Sequence, residues 1–290
     1  MSGTATFTFI RHAESTDNVK SVWAGWSDAP LSNHGMCGPS ELTKPAIPTR
    51  FRHESAIFQQ ARALVTSLSM TTFNAILASP LKRAHMTALE LEKCQTTSQP
   101  LLISPLLKER HFGVAEGKPS FWKRDLNRSL DDHVSDGIYP SLNGRNERFP
   151  EGESLDDVRN RAIQAWENML LNYVHEACEN HTHLHIAVVS HGLFIREALQ
   201  ALTRYDNALD LTTINGQWLR NTGWARVVLQ VKGNVDQQEW AKHLQVELTH
   251  FNECAHLNTM KRQRGIGSTA YDSRQKDIRN FFTNRKPNEQ

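Results

Sequence analysis

Three short apolar runs, each stopped by a polar or charged cluster, constrain this chain most. Phe7-Thr8-Phe9-Ile10 ends in Arg11-His12-Ala13-Glu14-Ser15. Residues 73–78 end in Ser79-Pro80, and residues 185–189 run into Ser190-His191-Gly192. Their β-branched and aromatic content suits strands. Helical periods lie between them. Over residues 55–70, Ala56, Ile57, Ala61, Leu64, Val65 and Leu68 recur at three-and-four spacing, and residues 81–94 read as a second helix. The longest period joins Leu155, Val158, Ala162, Trp166, Met169, Leu170, Tyr173 and Val174, after Pro150 and a Ser154-x-x-Asp157 cap. Residues 224–231 are a further strand candidate. The alternation predicts an α/β protein, a three-layer α/β/α sandwich around a mostly parallel sheet. Such sheets bind ligands outside the carboxyl ends of their strands. Arg11, His12, Arg83 and His191 are therefore expected along one edge.

Composition removes other classes. Of the 290 residues, 39% are hydrophobic and 22% charged, which is ordinary globular usage. The net charge of +2 hides an asymmetry: residues 256–290 carry +5 and the remainder −3. The basic stretch lacks interleaved aromatics on one face, so nucleic acid is disfavoured as a partner. The four cysteines form no CxxC pair, which argues against a zinc knuckle, a redox pair or a disulfide scaffold. No signal peptide or membrane span is legible, so an intracellular, cytoplasmic location is expected. Lys261-Arg262-x-Arg264 is a short candidate for nuclear import.

Two guanidinium groups and two imidazoles at one edge suit a phosphate. Arginine matches phosphate oxygens bidentately, and neutral histidine can attack phosphorus. The sequence around these residues resembles the histidine phosphatase superfamily, the phosphoglycerate mutase-like family. Five elements carry the resemblance in family order: Arg11-His12-Ala13-Glu14-Ser15-x-x-Asn18; Asp28-Ala29-Pro30-Leu31-Ser32 with Gly35; Ser79-Pro80-Leu81-x-Arg83-Ala84-x-x-Thr87-Ala88; Leu107-x-Glu109-Arg110-x-Phe112-Gly113 with Glu116-Gly117; and Val189-Ser190-His191-Gly192-x-x-Ile195-Arg196. Pro150-Glu151-Gly152-Glu153-Ser154 and Asn221-Thr222-Gly223 are weaker matches. The resemblance implies a phosphoglycerate mutase-like fold and a metal-independent phosphomonoesterase without cofactor. It implies His12 as the nucleophile that becomes phosphohistidine, and Glu109 as the general acid. Arg11, Asn18, Arg83 and His191 would form the phosphate pocket. The substrate would be a small phosphorylated metabolite, a sugar phosphate or bisphosphate. The details look closest to the fructose-2,6-bisphosphatase-like branch. Ala13 stands where the family usually has glycine, and Glu109 is followed by Arg110 and His111, which would suit a solvated ion pair instead.

Phosphoglycerate mutases add basic residues, including an Arg-Arg pair in the lid. Residues 113–152, polar and glycine-rich, are the candidate lid, and hold only scattered Lys118, Lys123, Arg124, Arg128, Arg145 and Arg148. That favours hydrolysis, with mutase activity as an alternative in which Arg110 would serve. Gly35 and Gln60 are separated by 24 residues where the family runs almost directly on. The extra segment, near 36–58, is either a loop insertion or a retained intron. Residues 1–255 are expected to form the catalytic domain, and 256–290 a basic flexible tail. In that tail Gln275, Ile278, Phe281 and Phe282 match the box that docks on the replication sliding clamp, PCNA. A short turn would put the three apolar side chains on one side as anchors. The alternative function is thus a catalytically weak member that acts as a binding module.

Overall fold

A computed structural model describes residues 3–34, 60–95, 100–232, 240–258, 260 and 270. The segment near 36–58, the Lys261-Arg262-x-Arg264 cluster and the box at 275–282 lie outside the described residues. Six strands form one sheet: β1 (Thr4–Arg11), β2 (Ala75–Ala78), β3 (Leu101–Ile103), β4 (His183–Ser190), β5 (Trp224–Val231) and β6 (Leu244–Glu253), in the order β3-β2-β4-β1-β5-β6. The pairs β2–β3, β2–β4 and β1–β4 are parallel, whereas β5 runs antiparallel to β1 and to β6. The helices are α1 (Thr16–Lys20), α2 (Gln60–Ser67), α3 (Lys82–Lys93), α4 (Leu130–Ser135), α5 (Leu155–Ala165), α6 (Leu171–Glu179) and α7 (Gly192–Ala201). None of the described helices is long and apolar enough to cross a membrane.

Alternation along β1 divides the core. Ala5, Phe7 and Phe9 face α5, α6 and α7, where Trp166 is buried and meets Phe7 edge-on at 5.1 Å. Ile10 points the other way, to Ile76, Ala78, Ala187 and Val189 and to Leu64, Leu68, Ala84, Ala88 and Leu91 of the α2–α3 layer. Burial of both faces explains why β2 and β4 read as nearly continuous apolar runs. The expected three layers and mostly parallel sheet are present.

Four local expectations change. The helix read over 155–174 is α5, a π turn at Trp166–Leu170, and α6, which continues to Glu179. Ser154 caps it as expected: its hydroxyl accepts from the Asp157 N–H, and the Asp157 carboxylate reaches back to the Ser154 N–H. The helix read over 55–70 is described as Gln60–Ser67. Strands β3 and β6 were not anticipated. β6 lies beside β5 and carries ordered structure to Glu253, and a single turn follows at Ala255–Leu257. Residues 113–152 hold α4, and their Ala115 and Phe149 join Phe112 in a small apolar cluster against which Trp23 packs.

Candidate active site

Parallel pairing of β1 with β4, and of β4 with β2, ends three strands side by side: Arg11 stands opposite Ser190, and Ala78 opposite Val189. His12 follows β1, Ser79 follows β2, and His191 follows β4 as the residue before α7. The expected four residues therefore meet. The His12 and His191 rings lie 5.0 Å apart between centroids, and both side chains are buried.

Each imidazole has a definite orientation. His12 Nδ1–H donates to the carbonyl of Ala13 at 2.7 Å, which leaves the Nε2 lone pair free to accept from Arg83 Nε–H at 3.2 Å. His191 Nε2 meets Ser79 Oγ at 2.8 Å, and its Nδ1 is buried without a partner. Burial, with Arg83 and then Arg11 alongside, holds His12 well below the usual imidazole range. Burial, Arg83, His12 and Arg11 do the same to His191. Both rings are neutral at pH 7.

The guanidinium groups are anchored by carbonyls rather than by carboxylates. Arg83 donates to Gly25 O at 2.6 Å and to Ser27 O at 2.8 Å. Glycine suits position 25: its φ is +46°, and a Cβ would displace the Glu116 carboxylate, 2.0 Å away. Arg11 donates to Leu219 O, while its Nε is buried and unpartnered. Burial lowers the pKa of both arginines, and Glu109 opposes this effect. Asn18 lies in α1, directly after the His12 loop. Its Oδ1 accepts from the Ser15 N–H at 3.1 Å in a capping box, and from Asn221 Nδ2 at 3.2 Å.

Glu109 is not in a solvated ion pair. Its Oε1 accepts from the Arg110 N–H at 2.8 Å and the Phe194 N–H at 3.2 Å, and its Oε2 from the Leu193 N–H at 3.3 Å. It thus holds the start of α7, beside His191. Arg110 is buried, and its side chain donates to the carbonyls of Glu153 and Glu147. Ala13 is accommodated in a small buried cluster with Leu31 and Ala61, and its N–H donates to Thr87 Oγ1 at 3.1 Å.

Sequence reasoning missed the mounts. Arg161 on α5 pairs with both oxygens of Glu153 at 2.8 and 2.9 Å and donates to the carbonyls of Leu106, Lys108 and Glu109. Trp26 Nε1–H also donates to Glu109 O, at 2.6 Å. The Pro150-to-Ser154 motif contained the available signal, since Glu153 is the residue that fixes Arg161. Among the described residues, no three His, Cys, Asp or Glu side chains converge as a metal site.

A sequence profile described as the histidine phosphatase superfamily, branch 1, matches residues 58–241. A Schizosaccharomyces pombe protein named "Probable phosphatase" is 30% identical over 276 residues, covering 94% of this chain and 78% of that one. A 2,3-bisphosphoglycerate-dependent phosphoglycerate mutase from Buchnera aphidicola is 25% identical over 218 residues, or 68% of this chain and 84% of that one. The complex of mycobacterial glucosyl-3-phosphoglycerate phosphatase with inorganic phosphate superposes with a TM-score of 0.56 at 19% identity, covering 87% and 98% of the two chains, and shares the fold. The chain belongs to the histidine phosphatase superfamily.

Proposed function

We propose that this protein is a phosphatase that hydrolyses a small phosphorylated metabolite through a phosphohistidine on His12. One observation carries this reading. Beside the accepting Nε2 of His12, two buried polar atoms, Arg11 Nε and His191 Nδ1, have no partner. Buried polar atoms are rarely left so, and a phosphoryl group would supply their acceptors.

In the proposed reaction Nε2 of His12 attacks phosphorus, and the bond from phosphorus to the ester oxygen breaks. Glu109 delivers the proton that the leaving oxygen needs. Its Oε2, with a single long bond, is the oxygen suited to that work. Water then attacks the phosphohistidine, returns a proton to Glu109, and releases phosphate and neutral His12. Arg11, Arg83 and His191 stabilise charge on the equatorial oxygens, the largest contribution in phosphoryl transfer. Asn18 orients the loop that carries His12.

Hydrolysis is favoured over mutase activity. Arg124, Arg128, Arg145 and Arg148 of residues 113–152 each pair with a carboxylate. A second phosphate would find these cations taken. A monophosphorylated metabolite, such as a sugar phosphate, is the substrate class we propose.

The test is phosphate release from a panel of phosphomonoesters and sugar bisphosphates, by the full chain and by His12→Ala, in the presence of EDTA. Release that survives chelation and vanishes in His12→Ala is expected. No release from folded wild-type protein would overturn the reading.

A further inference from the structure

Thr222 is fully buried and has a φ of +57°. That region suits glycine, and a β-branched residue held there is a marked outlier. Strain of this kind persists only where the surroundings enforce it, and it collects at functional sites. The question is what threonine supplies that glycine would not.

The answer lies in its hydroxyl. The Thr222 N–H donates to the carbonyls of Arg11 at 3.0 Å and His12 at 3.3 Å. The Thr222 hydroxyl donates to Asn221 O at 2.7 Å, which leaves its lone pair for the Nε2–H of His256 at 2.9 Å. Asn221 Nδ2–H donates in turn to the carbonyl of His12 at 3.1 Å. Two adjacent residues therefore grip the backbone on both sides of the Arg11–His12 bond. His256 holds the first of them from outside.

His256 sits in the Ala255–Leu257 turn, which packs on α2. It lies beyond the 58–241 stretch matched by the superfamily profile. A second strap comes from the same region: Asn252, at the end of β6, accepts the Arg220 N–H at 2.8 Å. The loop that anchors Arg11 and His12 is thus braced by the segment that follows the matched region.

We propose that His256 is a positioning residue that acts through Thr222. It fixes the threonine hydroxyl, and the strained threonine fixes the carbonyls of Arg11 and His12, so that His12 Nε2 faces the phosphoryl group. The proposal rests on the phosphohistidine reading of the site.

The test uses the full chain and p-nitrophenyl phosphate, with kcat, KM and Tm measured together. Small displacements of a reacting group cost up to about 100-fold in rate. Thr222→Gly relieves the backbone and removes the hydroxyl. It is expected to keep or raise Tm while kcat falls on the order of 10-fold. His256→Leu should lower kcat by a similar factor with little change in KM. His256→Gln keeps an N–H donor and should restore most of the loss. Wild-type kcat in both Thr222→Gly and His256→Leu would overturn the proposal, as would a His256→Gln variant no better than His256→Leu. An inactive wild-type chain would overturn the phosphatase reading and this one with it. An active wild type with unaffected variants would overturn this one alone.

Discussion

Arg11, at the end of β1, and Arg83, in the first turn of α3, meet backbone carbonyls and an imidazole, whereas Arg124, Arg128, Arg145 and Arg148 in residues 113–152 each meet a carboxylate. Burial lowers the pKa of Arg11 and of Arg83, and the nearby Glu109 carboxylate only partly opposes it. Guanidinium groups stay protonated under such conditions, which suits them to the proposed phosphoryl group. The arginines of residues 113–152 are paired. Arg145 makes a two-pronged bond to the buried Glu197 and a further bond to Asp156, and its pKa rises to match. On the proposed reading, the same side chain serves a ligand in one region and the fold in the other.

Substitution can break that comparison. Arg83→Ala should lower kcat per folded molecule by at least about 100-fold, the scale for removing one donor to a developing charge. A normal kcat would mean that Arg83 does not face the phosphoryl group. Arg145→Ala should do the reverse: it leaves Glu197 buried beside only the more distant Arg159, at 3.9 Å, and should cost about 1–3 kcal/mol in denaturant unfolding. Its kcat per folded molecule should be nearly unchanged.

Proton linkage sharpens the comparison further. His12, His191, His185 and His256 all titrate below the ordinary imidazole value, the last two at about 4, chiefly because of burial. The unfolded chain binds protons on these groups near pH 6.5, and the folded chain does not. Their contribution to stability is therefore complete above about pH 6.5 and is lost as pH falls toward 4. Unfolding midpoints at pH 7.5 and 5 should differ in that direction. The acid limb of kcat/KM should show no break near pH 6.5, because His12 remains neutral there. The smallest effect belongs to Arg148→Ala. Both partners of its bridge to Asp157 are exposed, so its loss should cost under about 0.5 kcal/mol by thermal unfolding.

What was legible in the sequence follows from locality. The ends of β1, β2 and β4 could be read because each apolar run stops at a residue with unmistakable chemistry, and parallel pairing does the rest. The alternation of Leu244, Val246 and Leu248 with Gln245, Glu247 and Thr249 was there to be read as β6, and was passed over beside the basic tail. Leu101–Ile103 is too short, and too exposed at the sheet edge, to give a periodic signal. Glu109 could be singled out by its motif, but its bonds to the start of α7 join residues more than 80 positions apart. The bond from His256 to Thr222 spans 34 positions with no motif at the histidine, so only the fold reveals it. Arg110 misled because its neighbours in sequence are not its partners in space.

The central claim is that Arg11 and Arg83 hold a phosphoryl group on His12. Rapid alkaline quenching during turnover, followed by mass spectrometry, tests it most directly. Cleavage after Arg11 and Lys20 releases a peptide in which His12 is the only histidine. The account predicts an acid-labile phosphoryl group on that peptide in wild type, and none in His12→Asn. Turnover with no label there, or with label on another residue, would contradict it.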